Sequence, residues 1–481
     1  MQVRNHKTKI VGTIGPASES SEMLERLIRA GLDIARLNFS HGAFTRHGEI
    51  ITRIRAAAEK VGRTVAILAD LPGPKMRLGE ISPEPVYLQT DAPFILTSEV
   101  VVGDSLRASM TFESLPRVVK AGDRLFLNDG LVQLCVERVL GDDVHCRVIV
   151  GGEIRSRKGL NLPGINLGSG AFTHHDRRCL EFALKNGVDA VSQSFVESAA
   201  DIEVVRAVAR ALGCQPLVFA KIERAAAVER YDEILKVADG IMVARGDLGV
   251  EVPMEEIAII QKSLIAKANI AGKPVITATQ MLESMISNRL PTRAECTDVA
   301  NAILDGTDCV MLSGECAVGQ YPEQAIGMLA KIAAVTEPHR PLTRATQLES
   351  TTWKPTTVSQ AMAVVVEHAL QTTPCAAVFV PTRSGDTARM ISRFKPPVWI
   401  VAMGEVTSVY RGLEFSYGVE PVLVTANSDN WREFALRWLH RQQIKGNVAV
   451  LVAAASAKVP DASHRIEFLH VSDDVGVAAI G

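Results

Sequence analysis

A repeated unit of helix and strand dominates the hydrophobic pattern of this chain. In each unit an amphipathic stretch ends at a glycine, and a short apolar run follows within a few residues. Glycine just past the last helical turn is the usual left-handed cap, so these glycines predict where helices end. Strands that alternate with helices favour a parallel sheet. The predicted strands are 9–14, 33–38, 65–70, 189–194, 217–221, 240–244, 274–278 and 308–312.

Eight such strands match a (β/α)8 TIM barrel, in which active sites collect at the carboxyl ends of the strands. Seven of the predicted strands end in polar residues that suit metal, phosphate or carboxylate. A polar residue at one strand end often marks only the point where the strand reaches the surface. Seven polar strand ends that meet on one rim would form an active site. They are Arg36 and Asn38, Asp70, Ser194, Lys221 and Glu223, Asp247, Thr279, and Ser313 with Glu315.

The alternation of helix and strand stops between Asp70 and about Leu160, where short β-like runs and hairpin turns replace it. This pattern predicts a small antiparallel β-barrel inserted after the third strand. Because the insertion leaves the barrel at the predicted catalytic rim, we expect it to act as a lid. The alternative is a passive insertion.

A polar stretch rich in Thr and Pro precedes a second region of alternation, which predicts a separate α/β domain with strands at 376–380, 398–402, 448–453 and 466–471. The predicted domains are therefore a barrel formed by 1–71 and 158–340, a lid of 72–157, a linker of 341–354 and a C-terminal domain of 355–481.

Composition excludes several classes of function. The chain has 481 residues and a formal net charge of −2, which gives no support to nucleic-acid or acidic-membrane binding. The sequence shows no signal-peptide pattern and no run near the ~18 apolar residues of a membrane span. Its eight cysteines form no Cys-x-x-Cys pair, and isolated thiols in a long chain are typical of a cytoplasmic protein.

The predicted chemistry centres on Lys221, Glu223 and Asp247. Residues two apart in a strand share a face, so Lys221 and Glu223 would point into the same space. An ordinary ion pair at a strand end is the competing interpretation. Asp247 adds a second hard oxygen for Mg²⁺ or Mn²⁺, and Gly246 lets the backbone approach a ligand.

Three further residues carry both a functional and a structural interpretation. Arg36 suits phosphate because its planar fork donates two hydrogen bonds, but it could also be a salt bridge at the rim. Thr279 could bind substrate or cap the next helix, and His41 alone is best explained as a polar helix start. The sequence contains no P-loop, no Gly-x-Gly-x-x-Gly and no Gly-x-Ser-x-Gly motif. The residues alone therefore indicate a divalent-metal barrel enzyme that handles a small phosphorylated or carboxylated anion.

Six segments of the chain match a known family pattern in register. They include Ala-Arg-Leu-Asn-Phe-Ser-His-Gly at 35–42, Lys-Ile-Glu at 221–223 and Ala-Arg-Gly-Asp-Leu-Gly-Val-Glu at 244–251. The others cover 277–285, 291–295 and 311–315. With these segments the chain resembles the pyruvate kinase family over nearly its whole length. The resemblance implies phosphoryl transfer from phosphoenolpyruvate to ADP, giving pyruvate and ATP, and a homotetramer.

Residue roles follow from the same resemblance. Glu223 and Asp247 would hold the catalytic Mg²⁺ or Mn²⁺, and Lys221 with Arg36 would stabilise charge on the phosphoryl group. The N–H groups of Gly246 and Asp247, with Thr279, would bind the substrate carboxylate. Thr279 would also lie near the route that protonates the enolate. The residues that would face the nucleotide are Asn38, His41, Arg77 and Lys158.

One departure from the family pattern concerns the monovalent cation. The usual K⁺ site uses Asn38, Ser40, Asp70 and a threonine that is Leu71 in this chain, and Lys75 replaces a glutamate. A fixed ammonium there would repel K⁺ and supply its charge, as in the branch of the family that carries this lysine. We therefore expect activity without added K⁺. Two smaller departures, Glu197 and Cys316, are expected to adjust the enzyme's activity rather than abolish it.

The C-terminal domain contains a loop similar to the family's effector phosphate loop. It carries Thr382, Arg383, Ser384, Gly385 and Thr387, a composition that suits phosphate and that an ordinary capped turn would also explain. In the family branch that fructose 1,6-bisphosphate activates, a second effector loop is rich in glycine, but the matching region 453–464 has none. The resemblance therefore implies a sugar monophosphate or nucleoside monophosphate effector, or no effector, rather than fructose 1,6-bisphosphate.

Two other functions stay open on sequence grounds. A metal-dependent lyase or aldolase acting on pyruvate-like acids can use a similar barrel and carboxylate pair, although it would not need the lid, Arg36 or Arg77. A catalytically silent sugar-phosphate sensor is the other alternative. The intact set of Lys221, Glu223, Asp247 and Thr279 argues against it.

Overall fold

A computed structural model describes residues 2–74, 76–128, 130–165, 168, 170–340, 354–424, 430–453 and 464–471. The strands are β1 Lys9–Thr13, β2 Ile34–Asn38, β3 Ala66–Leu71, β4 Val86–Leu88, β5 Pro93–Thr97, β6 Arg107–Ser109, β7 Arg124–Leu127, β8 Val132–Leu140, β9 Asp143–Val150, β10 Gly152–Ile154, β11 Leu160–Asn161, β12 Ala190–Gln193, β13 Leu217–Ile222, β14 Gly240–Ala244, β15 Val275–Ala278, β16 Cys309–Leu312, β17 Ala377–Pro381, β18 Trp399–Gly404, β19 Val419–Leu423, β20 Val448–Ala453 and β21 Arg465–His470.

The α-helices are numbered in the same way. They are α1 Ser21–Ala30, α2 Phe44–Val61, α3 Leu115–Val118, α4 His174–Lys185, α5 Ala199–Ala211, α6 Ala225–Glu229, α7 Tyr231–Val237, α8 Arg245–Glu251, α9 Ile257–Ala271, α10 Arg293–Asp305, α11 Gly314–Ala317, α12 Pro322–Thr336, α13 Val358–Thr372, α14 Asp386–Ser392, α15 Thr407–Gly412 and α16 Trp431–Gln442. Among the residues described, no helix combines the length and the apolar character that crossing a membrane requires.

Eight parallel strands close into a barrel in the order β1-β16-β15-β14-β13-β12-β3-β2. This confirms the predicted TIM barrel, and each of the eight predicted strands overlaps an observed one. The predicted helix ends are also observed: α9 and α10 stop at Gly272 and Gly306, whose φ angles of 69° and 94° lie in the left-handed region. Short helix-to-strand loops of this kind bring the carboxyl ends of all eight strands to one rim.

The inserted domain is built on a six-stranded sheet with the order β11-β7-β8-β9-β5-β6. Its pairs are antiparallel except β5 with β6, which are parallel. Single bridges from Arg77 to Gly159 and from Leu78 to Met110 connect one segment to both edges of this sheet. Strand β11 pairs with this sheet although it lies beyond residue 157, the predicted end of the inserted domain. The predicted domain boundaries stay a prediction.

The chain enters the inserted domain through a tightly packed turn. The Gly73 N–H donates to Asp176 Oδ1 at 2.9 Å, and Asp176 itself caps helix α4. Gly73 has a φ of 67°, and a Cβ at this position would lie 2.7 Å from the ring of Phe195. This connection therefore needs glycine for both its backbone conformation and its close approach to the barrel.

The C-terminal domain is an α/β layer with a five-stranded sheet in the order β19-β18-β17-β20-β21. The first three pairings are parallel and the last is antiparallel. Helix α15 and strand β19 lie where the hydrophobic pattern predicts neither a helix nor a strand. The predicted linker of 341–354 lies outside the described residues except for residue 354.

Candidate active site

A buried ionic network lies at the carboxyl rim of the barrel, between strands β1, β2, β3 and β12. Arg36 Nε donates to Asp70 Oδ2 at 2.9 Å, and a second guanidinium nitrogen donates to the same oxygen. The other Asp70 oxygen accepts from Ser192 Oγ at 2.7 Å. Burial alone would raise the pKa of Asp70, but Lys221 and Arg36 outweigh it and lower the pKa below its usual value. Asp70 is therefore an anion that orients the cations around it.

Lys221 continues this network from strand β13. Its Nζ donates to Ser194 Oγ at 2.6 Å and lies 3.2 Å from Glu223 Oε2 and 3.6 Å from Asp70 Oδ1. Burial would lower the pKa of Lys221, but the carboxylates of Asp70, Glu223 and Asp247 raise it. The side chain is thus a fixed ammonium, available to counter charge on a transferred group.

The two predicted metal ligands are also placed together. Glu223 is buried, and its Oε1 accepts from the Phe195 N–H at 2.7 Å. Burial raises the pKa of Glu223 to about 7, and the charge on Asp247 adds to this effect. Asp247 is half-buried in the first turn of helix α8.

The carboxylate pair fits a divalent cation. Among the described residues Glu223 Oε2 has no hydrogen-bond partner, although it is buried and faces the Lys221 ammonium. No three His, Cys, Asp or Glu side chains in the described part of the chain group into a metal site. Magnesium commonly takes only one or two protein carboxylates and completes its shell with substrate oxygens and water. Glu223 and Asp247 match that pattern.

Thr279 and Gly246 form the part of the rim predicted to bind a carboxylate. The Gly246 N–H donates to Thr279 Oγ1 at 2.8 Å, and this hydroxyl donates to the Ala278 carbonyl at 2.7 Å. Thr279 has a φ of 67°, a strained conformation for a β-branched residue. Arg245 maintains it, because its buried guanidinium donates to the Thr279 carbonyl at 2.7 Å.

The predicted nucleotide-binding residues fall into two pairs. Asn38 ends β2, opposite Asp70, and its Oδ1 accepts from the Ser40 N–H at 3.1 Å; His41 is exposed in the turn that follows. Arg77 and Lys158 lie on two paired segments at the base of the inserted domain, where Arg77 bridges to Gly159 and the Leu78 N–H donates to the Lys158 carbonyl at 2.9 Å.

The predicted monovalent-cation residues are mostly committed to other contacts. Leu71 is fully buried and offers no side-chain oxygen. The Asn38 and Asp70 oxygens already accept the hydrogen bonds given above, and the Ser40 N–H donates to Asn38. Lys75 lies outside the described residues.

Sequence reasoning missed four contributors to this site. Thr13 ends β1 with a hydroxyl that accepts from Arg36 at 2.8 Å, so the eighth strand also ends in a polar residue. Ser192 donates a hydrogen bond to Asp70, and Arg245 donates one to the Thr279 carbonyl. Arg224 follows Glu223 directly and donates to the Ile165 carbonyl, at the return from the lid, at 3.0 Å. Only its position in the motif Lys-Ile-Glu-Arg could have suggested a role for Arg224.

Three other residues that the sequence singled out, Glu315, Glu197 and Cys316, have contacts within the fold. Glu315 is fully buried, and its oxygens accept from the Leu282 N–H at 3.1 Å and the Ser313 N–H at 2.8 Å. Glu197, one of the departures from the family pattern, lies 3.3 Å from Arg224. Cys316, the other, is fully buried, and burial raises the pKa of its thiol to about 12.

The predicted effector loop forms a compact turn before helix α14. The Gly385 N–H donates to Thr382 Oγ1 at 2.9 Å, and Ser384 Oγ donates to Asp386 Oδ2 at 2.9 Å. Arg389 donates to the Ser384 carbonyl at 2.6 Å. Thr387 is buried, and Arg383 lines a small cavity together with Thr382.

The structure is a parallel barrel with a fixed ammonium, two carboxylates and a paired arginine on its carboxyl rim, the edge at which barrel enzymes carry their active sites. Family models describe the match further: residues 5–326 match "Pyruvate kinase, barrel domain" and residues 360–465 match "Pyruvate kinase, alpha/beta domain". The chain therefore belongs to the pyruvate kinase family, and it is a phosphotransferase.

Individual relatives agree with this assignment. A pyruvate kinase of Thermococcus litoralis is 47% identical over 432 residues, which cover 89% of this chain and 90% of that protein. A pyruvate kinase of Mycobacterium intracellulare is 39% identical over 474 residues, which cover 98% and 99%. The crystal structure of a pyruvate kinase from Cryptosporidium parvum superposes with a TM-score of 0.90 at 34% identity and covers 97% of both chains.

Proposed function

We propose that the chain transfers the phosphoryl group of phosphoenolpyruvate to ADP at the rim formed by Arg36, Lys221, Glu223 and Asp247. The observation that carries this proposal is the position of Lys221 Nζ, which lies 3.2 Å from Glu223 Oε2 and 3.6 Å from Asp70 Oδ1. A cation fixed beside the carboxylates of Glu223 and Asp70 suits phosphoryl transfer, because the reaction depends on positioning and charge stabilisation more than on covalent chemistry.

Each residue at the rim has a definite task in this scheme. Glu223 and Asp247 hold Mg²⁺ or Mn²⁺, which when bound neutralises charge on the substrate oxygens. Lys221 and Arg36 stabilise the phosphoryl group, and Asp70 orients both cations. Thr279 binds the substrate carboxylate together with main-chain N–H groups at 246 and 247. Because the Gly246 N–H donates to Thr279 here, its use by the substrate requires Thr279 to release it.

The nucleotide occupies the space between the barrel rim and the lid in this proposal. Asn38 and His41 approach it from the barrel, and Arg77 and Lys158 approach it from the base of the lid. The pairing of Arg77 with Gly159 supports a joint role for the two basic residues, since it brings both connections of the lid together.

K⁺ is not required for this activity. The Asn38 and Asp70 oxygens at the corresponding corner accept hydrogen bonds from Ser40, Arg36 and Ser192, and Leu71 supplies no side-chain oxygen. Together with the Lys75 ammonium expected from the sequence, this favours a positive charge supplied by the protein over a bound monovalent cation.

The C-terminal domain binds a phosphorylated effector through Thr382, Arg383, Ser384, Gly385 and Thr387. The main support is the left-handed Gly385 at the start of helix α14, next to hydroxyl groups of Thr382 and Ser384. The second region expected to shape effector choice, 453–464, lies largely outside the described residues. The homotetramer and the cytoplasmic location stay predictions from the family and the composition.

A coupled assay tests the proposal directly. We expect lactate dehydrogenase and NADH to report pyruvate formation only when phosphoenolpyruvate, ADP and Mg²⁺ are all present. A metal-dependent lyase or aldolase would release pyruvate from a carbon–carbon bond without ADP, and a sensor would release none. Pyruvate formation that does not depend on ADP would overturn the proposal.

A further inference from the structure

An aromatic side chain of the C-terminal domain closes the amino end of the barrel. Phe415 ends a short 3-10 turn, Leu413–Phe415, and is fully buried in the apolar cluster inside the barrel. Its ring centroid lies 4.8 Å from that of Phe219 on β13. Its carbonyl accepts a hydrogen bond from Cys309 Sγ at 3.4 Å. A residue of one domain thus belongs to the interior packing of another.

Two buried ion pairs hold the segment around Phe415 in place. Lys9 Nζ, at the start of β1, lies 2.7 Å from Glu414 Oε2. Lys395 Nζ lies 2.5 Å from Asp308 Oδ1, which also accepts from the Tyr417 N–H at 2.9 Å. Removing either partner of a buried pair leaves a charge without compensation, so the segment has little freedom to move.

The residue that Phe415 touches lies on the catalytic strand. Phe219 and Lys221 are two apart in β13 and therefore share the interior face, and Glu223 continues the same alternation. Gly240 on β14 leaves room for the Phe219 ring, since a Cβ at that position would lie 2.3 Å from it. The ring is confined between the β14 backbone and Phe415. Close-packed interiors transmit displacement rather than absorb it.

We infer that Phe415 is a positioning residue for phosphoryl transfer: through Phe219 it sets the position of the β13 segment that presents Lys221 and Glu223. This inference rests on the roles proposed above for those two residues. The Lys221 contacts of 2.6 Å to Ser194 and 3.2 Å to Glu223 leave little tolerance for a shift of the strand. A misplacement of about 1 Å that originates far from the reacting atoms can cost about 100-fold in rate.

The test compares Phe415→Leu with Phe379→Leu in the full-length enzyme. Phe379 is also fully buried but packs on Trp438 inside the C-terminal domain, with ring centroids 5.6 Å apart. We expect Phe415→Leu to lower kcat about tenfold and to raise the half-saturating Mg²⁺ concentration several-fold, with the KM for ADP unchanged. Phe379→Leu should lose thermal stability and keep wild-type kinetics. All assays are run well below the lower melting temperature.

Further variants make the outcome unambiguous. Phe219→Leu should reproduce the kinetic loss, and the double variant should lose less than the product of both effects because the two rings share one contact. Wild-type kinetics in Phe415→Leu, or an equal loss in Phe379→Leu, would overturn the inference. If Phe415→Leu does not fold, Phe415→Met replaces it in the same comparison. Lys221→Met separates the two claims: if it abolishes transfer while Phe415→Leu does not affect it, only this inference fails.

Discussion

Asp70 accepts two hydrogen bonds from Arg36 on one carboxylate oxygen and one from Ser192 on the other, and it lies 3.6 Å from Lys221 Nζ. One buried aspartate thus orients both cations of the rim. We expect Asp70→Asn to lower kcat more than tenfold and to destabilise the fold by about 3 kcal/mol, because buried partners lose their counter-charge. Steady-state kinetics and thermal unfolding measure the two effects.

Asp189 offers a matched control for this prediction. Its side chain is only 4% exposed and pairs with Arg55 at 2.7 Å, and it precedes β12 at the opposite end of the barrel. Asp189→Asn should lose stability without a comparable loss of kcat. Equal kinetic losses in the two variants would show that Asp70 acts only through stability.

A second prediction concerns the divalent metal. Glu223→Gln keeps the size of the side chain and removes its charge, so the half-saturating Mn²⁺ or Mg²⁺ concentration should rise at least about tenfold. Titration of Mn²⁺ followed by electron paramagnetic resonance measures this without turnover. Glu315→Gln is the control, since Glu315 is an equally buried glutamate that only braces backbone N–H groups. Unchanged Mn²⁺ binding in Glu223→Gln would contradict the assignment.

The third prediction concerns K⁺. With tetramethylammonium as the only monovalent cation, the wild-type enzyme should keep most of its activity, because a protein ammonium replaces the ion. Lys75→Glu should then become dependent on K⁺, since it exchanges a positive charge for a carboxylate. An absolute K⁺ requirement in the wild-type enzyme would contradict the proposal, and Lys120→Glu controls for the change in net charge.

The fourth prediction concerns pH and stability in helix α13. Burial raises the pKa of Glu367 to about 7, and among the described residues its Oε2 accepts no hydrogen bond. The folded protein therefore holds a proton that the unfolded chain loses near pH 4.3, so this group's contribution to stability falls as pH rises from about 4.3 to 7. Glu367→Gln should raise Tm by about 2–4 °C at pH 8 and leave it nearly unchanged at pH 4.

The exposed residue Glu203 on helix α5 provides the control for the pH prediction. Glu203→Gln should leave Tm unchanged at both pH values. Differential scanning calorimetry in matched buffers would detect the difference. A Glu367→Gln variant that gains equally at pH 4 and pH 8 would exclude titration of this carboxyl as the cause.

The regular part of the fold follows from the hydrophobic pattern because each barrel strand is an apolar run flanked by a helix cap. Short elements escape this pattern: β19 contains Pro421, and β6 and β10 have three residues each. Their pairing comes from neighbouring strands rather than from local preference.

The candidate site likewise contains residues that the sequence pattern places and residues that it does not. Lys221, Glu223 and Asp70 could be placed on one rim because alternation and strand direction fix them. Thr13 could not, since its role exists only through the Arg36 guanidinium that reaches it from β2. Phe415 is 196 residues from Phe219 in the sequence, and no local pattern indicates their contact.

ATP formation by Lys221→Met tests the central claim most directly. Wild-type and variant protein, both shown to be folded by their melting temperatures, are given phosphoenolpyruvate, ADP and saturating Mg²⁺. ATP is measured by luminescence. Loss of the fixed ammonium should lower kcat by about 10³-fold or more, because preorganised charge is a major contribution to catalysis. Wild-type rates in Lys221→Met would contradict the account of this rim as the site of phosphoryl transfer.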